Sequence, residues 1–260
     1  MNITITPATI QPDDYTENGL LHCGNCRTPK EFDAPKLGIV PIRCQCVKDA
    51  EEKAEAQQAE RQRQERIADR LKESGIPAKY IGQTLQNIDK TGEISGFVEV
   101  CQNYLDKWIE KKEKGKGLFL YGTVGTGKTM LACIIGQELI NRGYAVKFLS
   151  VYDILRRPQG FAYAEANEDF DEMIKKVHLL IIDDLGAERS TSFAKEQIMA
   201  VLDMRYGCGL PMIVTSNLSN EELSNPKDIV DDRIKSRITE LKAVHMTGAD
   251  YRRTIAKRKD

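Results

Sequence analysis

The stretch Gly122-Thr123-Val124-Gly125-Thr126-Gly127-Lys128-Thr129 fits the pattern G-x-x-x-x-G-K-[ST] of a phosphate-binding P-loop. The apolar residues 118–121 before it predict a buried strand, and residues 130–140 after it predict a largely buried helix. In this arrangement the backbone N–H groups of the loop cradle phosphate oxygens, and the helix N-terminus adds its partial positive charge. The flanking strand and helix make a chance match in a glycine-bearing turn the weaker interpretation.

The loop residues have distinct predicted roles. Lys128 is expected to reach the β- and γ-phosphates, and the Thr129 hydroxyl is expected to ligate Mg²⁺. The predicted nucleotide-binding residues of this segment are Gly122, Thr123, Val124, Gly125, Thr126, Gly127, Lys128, Thr129 and Met130.

The composition is that of a globular protein with one good-sized core and a small appendage: 260 residues, 41% hydrophobic and 30% charged. The net charge of −1 excludes an overall polyelectrolyte attraction to nucleic acid, so local patches would have to supply any such binding. No apolar run is long enough to span a bilayer, and the N-terminus lacks the basic start and apolar core of a signal peptide. We therefore expect a cytoplasmic protein without a membrane partner.

Four of the seven cysteines form two close pairs, Cys23-x-x-Cys26 and Cys44-x-Cys46. A C-x-x-C turn lets two thiolates bind one tetrahedral Zn²⁺, and clustered cysteines in a reducing cytosol favour metal over disulfides. We predict a zinc site with these four ligands, for which His22 is a weaker substitute. The alternatives are four free surface cysteines or two disulfides. A core this small would need the metal in order to fold.

Paired acids follow a second apolar run. Residues 177–184 end in Asp183 and Asp184, and the four apolar residues before them indicate a strand buried on both faces. Downstream of a P-loop this is the Walker B pattern, in which Asp183 holds Mg²⁺ and Asp184 orients or deprotonates the attacking water. A further strand, residues 211–217, ends in Asn217. Two roles are open for its side chain: contact with the γ-phosphate or the water, and capping of a helix or turn.

The remaining segments predict helices and two more strands. Residues 47–73 contain almost only strong helix formers without a sustained apolar seam, which favours a solvated helical connector. Residues 94–112 repeat apolar side chains at three- and four-residue spacing and predict one amphipathic helix. The other predicted elements are strands at residues 145–150 and 243–246 and a helix at residues 192–206.

The C-terminal part of the chain is basic. Residues 229–241 predict a helix with Arg233 and Arg237 on one face, and the simplest interpretation of that face is a solvated one. Residues 227–260 carry 10 Lys or Arg and 6 Asp or Glu. This excess of positive charge gives modest support to a phosphate-rich partner.

With these motifs in this order, residues 75–255 resemble the bacterial and phage helicase loaders of the DnaC/DnaI type. These loaders are AAA+ ATPases related to the transposition helper IstB and to the initiator DnaA. The matching stretches are Gly-Ile-Pro-Ala-Lys-Tyr at 75–80, the P-loop, Leu-Leu-Ile-Ile-Asp-Asp-Leu-Gly at 179–186 (Walker B), Thr-Ser-Asn at 215–217 (sensor 1) and Arg-Ile-Lys-Ser-Arg-Ile at 233–238 (box VII).

The resemblance implies an α/β fold and a set of cofactors. The expected fold is an AAA+ P-loop ATPase with a parallel five-stranded sheet flanked by helices, plus a small N-terminal zinc-binding domain. In the family the sensor 1 strand lies between the P-loop strand and the Walker B strand. ATP, Mg²⁺ and Zn²⁺ are the expected cofactors.

The resemblance also implies roles for two arginines. Arg237 matches the arginine finger that enters a neighbouring subunit's ATP site, so the ATPase domains are expected to self-associate. Tyr251 and Arg252 look like sensor 2, although few residues follow for a helical lid. Most AAA+ proteins carry Asp-Glu at Walker B, and the shorter Asp184 predicts slow, switch-like hydrolysis. The expected catalytic residues are Lys128, Asp184, Asn217 and Arg237.

Three domains are expected: a zinc-binding, helicase-interacting domain at 1–50, a helical linker at 51–74 and the AAA+ ATPase domain at 75–260. The implied function is ATP-dependent loading of the replicative hexameric DNA helicase onto single-stranded DNA during replication initiation. The alternative is an IstB-like ATPase helper of a DNA transposase, a class that generally lacks the zinc pattern. A third hypothesis is a DNA-binding adaptor with a vestigial nucleotide site, against which the intact Walker motifs argue.

Overall fold

The computed structural model of the chain describes residues 10–88, 93–157, 164–186, 191–224, 232–248 and 250–251. The chain divides into two compact units, residues 1–66 and 67–260. Helix α1, Gln45–Ser74, contains the whole of the predicted linker, residues 51–74, and begins in the first unit. Its last turns belong to the second unit, where Ile67 and Leu71 pack against the apolar core.

The first unit contains two short antiparallel hairpins. They are β1 (Tyr15–Glu17) with β2 (Leu20–His22), and β3 (Glu31–Ala34) with β4 (Gly38–Pro41). Asn18 and Gly19 connect β1 and β2 with φ angles of 52° and 80°, the two-residue turn that an Asn-Gly pair favours. Within residues 10–66, only Cys23, Lys30 and Cys44 are buried. This unit therefore has almost no apolar core.

The second unit is built on a five-stranded parallel sheet with the order β6-β7-β8-β5-β9. Its strands are β5 (Leu118–Gly122), β6 (Val146–Ser150), β7 (Leu179–Leu185), β8 (Met212–Ser216) and β9 (Lys242–Met246). The three central strands are apolar and buried on both faces, as a parallel sheet covered by helices requires. The predicted fold is confirmed, including the sensor 1 strand β8 between the P-loop strand β5 and the Walker B strand β7.

Helices cover both faces of the sheet. They are α2 (Ile94–Asp106), α3 (Trp108–Glu113), α4 (Lys128–Asn141), α5 (Val151–Leu155), α6 (Ala164–Lys176), α7 (Ser192–Gly207), α8 (Asn220–Ser224) and α9 (Asp232–Thr239). Leu118 and Leu120 of β5 join the core that holds α2 and α4, whereas Phe119 joins the core that holds α7 and α9. In the part of the chain that the structure describes, no helix has the length and apolar character needed to cross a membrane.

The single helix predicted at residues 94–112 is wrong, because Lys107 divides it into α2 and α3. The φ and ψ angles of Lys107 are −99° and 20°. Its N–H still donates to the Asn103 carbonyl oxygen, and its own carbonyl oxygen accepts from the Lys111 N–H. The break therefore costs little hydrogen bonding and leaves the apolar spacing unchanged, which is why the sequence pattern does not show it.

A fully buried arginine connects three elements of the second unit. The Arg205 guanidinium, on α7, donates to four carbonyl oxygens at 2.7–3.0 Å. These belong to Ile174, Val177, His178 and Pro211. Burial lowers the pKa of Arg205 to about 10. The side chain thus supplies hydrogen bonds to backbone groups at the end of α6 and at the entries to β7 and β8, where unpaired carbonyl oxygens would be costly.

Candidate nucleotide and metal sites

The P-loop residues adopt backbone angles that require glycine. Gly122, Gly125 and Gly127 have φ angles of 123°, 87° and 93°, in the region that disfavours other residues. A Cβ atom on Gly122 would also lie 2.4 Å from the Met246 carbonyl oxygen. Gly127 then caps the N-terminus of α4, so the loop delivers its backbone directly to a helix N-terminus, where anions bind.

Lys128 is the first residue of α4 and is buried. Its Nζ donates to the carbonyl oxygens of Gly122, at 2.9 Å, and Thr123, at 2.7 Å. These bonds hold the ammonium group inside the loop. The structure therefore places the predicted phosphate-binding cation against the backbone carbonyl oxygens at the start of the loop.

Asp183, near the carboxyl end of β7, accepts hydrogen bonds from two threonine hydroxyls. One comes from Thr215 at 2.7 Å, and the other comes from Thr129 of the P-loop. Burial raises the pKa of the Asp183 carboxyl, and these two hydrogen bonds oppose the rise. A hydroxyl next to a buried carboxylate is an oxygen donor set that suits Mg²⁺. The predicted magnesium ligands, Thr129 and Asp183, are thus brought together.

Asp184 has an unusual backbone conformation for a strand residue. Its φ angle is 64°, and the register of β7 on β8 shifts between Ile182 and Leu185. Asn217 donates from Nδ2 to the Asp184 carboxylate. Among the described residues the cap of α8 falls instead to Ser219, whose hydroxyl accepts from the Glu222 N–H. Of the two roles open for Asn217, its observed contact with Asp184 favours the one in the cleft.

The P-loop and both acids face one cleft of about 700 Å³. Its lining also includes Asn217, Tyr251 and a segment that begins at the stretch resembling the start of the loader ATPase domain. The segment contributes Gly75, Pro77, Lys79, Tyr80 and Gln83. The sequence indicated that this stretch opens the domain, but no spacing pattern indicated that it forms a wall of the cleft.

Gln137 of α4 fixes that wall. Its Oε1 accepts from the Gly82 N–H at 2.8 Å, and its Nε2 donates to the Tyr80 carbonyl oxygen at 2.7 Å. The same helix therefore carries Lys128 and holds the opposite wall. Sequence reasoning missed Gln137, because a glutamine among apolar helix residues has no pattern that distinguishes it.

Of the two arginines to which the resemblance assigns a role, the structure describes only Arg237. Arg252 lies outside the described residues. Its neighbour Tyr251 donates from its backbone N–H to the Gly125 carbonyl oxygen at 2.9 Å, which brings the end of the described chain to the P-loop. Arg237, on α9, donates from Nε to Asp203 at 2.7 Å and lies over the Tyr206 ring. This contact with Asp203 raises the pKa of Arg237.

The cleft of the same chain does not include Arg237 among its described lining residues. Its partners Asp203 and Tyr206 both lie on α7. This placement agrees with a residue that acts elsewhere than on its own nucleotide, and the predicted role in a neighbouring subunit stays a prediction.

In the first unit the four paired cysteines converge. The sulfur atoms of Cys23, Cys26, Cys44 and Cys46 all lie within 4.8 Å of one another, and all four are free thiols. The Cys44–Cys46 and Cys23–Cys46 sulfur separations are 3.4 Å and 3.6 Å. Both are far longer than a disulfide bond of about 2.05 Å. They are close to the sulfur separation of about 3.8 Å that four Zn–S bonds of about 2.3 Å give in a tetrahedron.

The surroundings of this cluster suit a cation. Hydrogen bonds from the Thr28 hydroxyl and then from backbone N–H groups lower the pKa of Cys26 to about 5. Hydrogen bonds with the neighbouring cysteines, Cys44 first, raise the pKa of Cys46 to about 12, because they favour its protonated form. A bound cation would favour the thiolate form instead. His22 is not part of the cluster; its ring stacks on Tyr15.

Gly24 makes the C-x-x-C turn possible. A Cβ atom there would lie 2.0 Å from the Asp13 carbonyl oxygen. The Asp14 carboxylate accepts from the Gly24 N–H at 3.1 Å and pairs with the buried Lys30 ammonium. The turn is therefore fixed from outside the sulfur cluster.

Comparison with known proteins places the part of the chain that contains the nucleotide site in a family. The sequence profile of the family described as IstB-like ATP binding protein matches residues 56–256. The replicative helicase loader DnaI of Bacillus subtilis (strain 168) is 31% identical over 158 residues. That alignment covers 60% of this chain and 50% of DnaI, so the chain spans half the length of this curated relative.

Two solved structures share the fold of the second unit. A crystal structure of DnaI superposes with a TM-score of 0.56 and 25% identity, over 66% of this chain and 95% of that one. The replication initiator DnaA bound to AMPPCP and single-stranded DNA superposes with a TM-score of 0.54 and 27% identity. The DnaA superposition covers 71% of this chain and 55% of the initiator.

Proposed function

The chain belongs to the family of IstB-like ATP-binding proteins, and from that premise we propose that it loads the replicative hexameric DNA helicase onto single-stranded DNA in the cytoplasm. One observation carries the proposal: the same chain joins a P-loop cleft, complete with both acids, to a separate unit that holds a four-cysteine cluster. The similarity to the loader DnaI supports the proposed role in helicase loading.

The cleft would bind and hydrolyse ATP. The amides of the P-loop and Lys128 would hold the phosphates, and Thr129 and Asp183 would hold Mg²⁺, which neutralises the charge on the β- and γ-phosphates. A bond forms between the water oxygen and the γ-phosphorus, and the bond from that phosphorus to the bridging oxygen of ADP breaks. Asp184 would orient the water and accept its proton, while Asn217 holds the Asp184 carboxylate.

Hydrolysis would be slow, as expected of a switch. The Asp184 side chain is one carbon shorter than glutamate, and Asn217 already occupies one of its oxygens. A single-turnover rate equal to that of fast AAA+ motors would contradict this part of the proposal.

The first unit would bind Zn²⁺ through its four cysteines and contact the helicase. Its division from the second unit is the basis for assigning it a separate partner. Residues 1–50 would form this helicase-interacting domain, residues 51–74 the linker and residues 75–260 the ATPase domain.

DNA and a second copy of the chain would contact the ATPase domain. Arg237 would leave Asp203 and reach the γ-phosphate of a neighbouring subunit, so self-association and hydrolysis would be coupled. Arg252 would contact the nucleotide of its own subunit. The solved DnaA structure, which contains single-stranded DNA, supports a DNA-binding role for this fold.

A transposase helper is the second candidate function, because the matching family is named after IstB. The profile covers residues 56–256 and leaves out all four clustered cysteines. The part of the chain outside the profile therefore favours the loader.

Co-elution with the host replicative helicase on a sizing column, in ATP and Mg²⁺, tests the proposal. The full chain is expected to form a complex that the double variant Cys23→Ser, Cys26→Ser does not form. Cys208→Ser, which removes an exposed cysteine outside the cluster, is the matched control and is expected to bind. Absence of a complex in every nucleotide state would contradict the loader and make a transposase the next partner to test.

A further inference from the structure

Three consecutive side chains, the last two of β8 and the one after it, hold the carboxyl end of β7. The Thr215 hydroxyl contacts both acids, the Ser216 hydroxyl donates to the Leu185 carbonyl oxygen at 2.6 Å, and Asn217 donates to the Asp184 carboxylate. The roles proposed above account for Asn217 but not for Thr215. Thr215 is bonded both to the carboxylate of Asp183 and to the backbone of Asp184.

Thr215 uses its single hydroxyl in both directions. The hydroxyl donates its proton to Asp183 Oδ1 at 2.7 Å, and its oxygen accepts from the Asp184 backbone N–H at 2.9 Å. Because a hydroxyl has only one proton, donation to Asp183 fixes the oxygen as the acceptor for Asp184. Thr215 is 1% exposed, so water has no access to replace either bond.

The backbone of Asp184 needs this acceptor. The ladder between β7 and β8 pairs Ile182 with Val214 and resumes only at Leu185 with Ser216. Asp184 falls in the interval, where its N–H bonds the Thr215 hydroxyl. A non-glycine residue with a φ angle of 64° persists only where its surroundings hold it there. That conformation is the one in which the Asp184 carboxylate meets Asn217 and faces the cleft.

We propose that Thr215 is a positioning residue of the ATPase site, which orients the Asp183 carboxylate and holds Asp184 in its left-handed conformation through one hydroxyl. The inference rests on the proposed ATPase activity. Thr215 touches neither nucleotide nor water in this role; it acts through the two acids.

The test compares Thr215→Val, which keeps the shape and removes the hydroxyl, with Thr215→Ser, which keeps the hydroxyl. In full-length protein, Thr215→Val is expected to lower kcat by about 10- to 100-fold, as loss of a partner of a metal-ligating carboxylate does. It is also expected to raise the Mg²⁺ concentration needed for half-maximal hydrolysis. ATP affinity measured without Mg²⁺ is expected to stay within about threefold, because Lys128 and the loop amides are unchanged. Thr215→Ser is expected to restore kcat and the Mg²⁺ requirement.

The variant Ser216→Ala controls for a general loosening of the contact between β7 and β8. It removes a hydroxyl hydrogen bond from the same strand without touching either acid. If it lowers the thermal midpoint as much as Thr215→Val does but keeps kcat and the Mg²⁺ requirement, the effect of Thr215 is specific. If Thr215→Val does not fold, Thr215→Cys, with a weaker donor of similar size, is expected to have a lower kcat than both Thr215→Ser and the wild type.

Two results would overturn the inference. One is wild-type kcat and Mg²⁺ requirement in Thr215→Val. The other is a loss of kcat that Thr215→Ser does not restore. Either is distinct from failure of the proposed function, in which the wild-type protein itself would not hydrolyse ATP in the presence of single-stranded DNA.

Discussion

The two units of this chain are each stabilised in a different way. The second unit buries two apolar clusters on either side of a parallel sheet. The described part of the first unit buries two cysteines and a lysine, and it leaves Phe32, Leu37 and Ile39 exposed. An apolar core folds by itself, whereas four crowded thiols need a cation to be stable together. The contrast predicts that the second unit folds by itself, whereas the fold of the first unit depends on a bound ion.

The largest expected effect is loss of the first unit when its metal is removed. Zinc contributes about 10–16 kcal/mol to small cysteine sites, more than any apolar contact available here. A zinc chelator, or the double variant Cys23→Ser, Cys26→Ser, should therefore unfold this unit alone. Hydrogen exchange measured by mass spectrometry should show fast exchange in peptides from residues 15–44. Peptides from the P-loop strand should stay protected, as they should in Cys208→Ser. Equal protection of residues 15–44 with and without chelator would remove the contrast between the units.

Arg205→Met is expected to be the strongest single destabilisation of the second unit. It removes the guanidinium donor of four carbonyl oxygens, of which that of Pro211 keeps a 3.4 Å bond from the Leu180 N–H, while it also relieves the burial of a charge. We expect a net loss of about 3 kcal/mol in the free energy of unfolding, measured with urea. Zinc content should not change. Arg61→Met, at an exposed position of α1, should change stability by less than about 0.5 kcal/mol. A similar small change for Arg205 would show that the core does not depend on it.

Lys128→Ala is expected to weaken ATP binding and leave both folds intact. A hydrogen bond to a charged group contributes about 1.5–3 kcal/mol, which corresponds to about 10- to 100-fold in affinity. Titration with a fluorescent ATP analogue measures the loss, and zinc analysis checks the first unit. Lys53→Ala, an exposed lysine on α1, is the matched control. Unchanged ATP binding in Lys128→Ala would support the adaptor with a vestigial site.

The smallest effect concerns the charge of Asp183. Its pKa is raised in the folded chain, chiefly by burial, so its ionised form costs stability. Part of the free energy of unfolding of the nucleotide-free protein is therefore present below the usual aspartate pKa. This part should be lost as the pH rises through the raised pKa of Asp183. Asp183→Asn should abolish Mg²⁺-dependent hydrolysis and raise the thermal midpoint at neutral pH without Mg²⁺. A lowered midpoint would mean that the hydrogen bonds from Thr215 and Thr129 outweigh the burial cost.

Local patterns predicted most of the second unit. The P-loop, the strands β7 and β8, and helix α4 depend on neighbours in sequence, and the structure has them within a few residues of the expected bounds. The order of the strands came from the family resemblance, since the pattern of one strand contains no information on which strand lies beside it.

The details that fix the acids were beyond sequence reasoning. The hydroxyl of Thr215 reaches the backbone of Asp184 across 31 positions, and Gln137 holds Tyr80 across 57. The left-handed angle of Asp184 results from a register shift that no residue type announces. Contacts of this kind exist only once the strands and helices have packed.

The most direct test of the central claim is transfer of the replicative helicase to DNA. Purified helicase, single-stranded DNA circles coated with binding protein, and this protein with ATP and Mg²⁺ would be mixed, and helicase retained on the circles would be measured. We expect retention to require this protein. We also expect it to be lost both in the Lys128→Ala variant and in the double variant Cys23→Ser, Cys26→Ser. Retention that is unchanged without this protein, or unchanged in both variants, would contradict a loader that joins a nucleotide cleft to a metal-dependent unit.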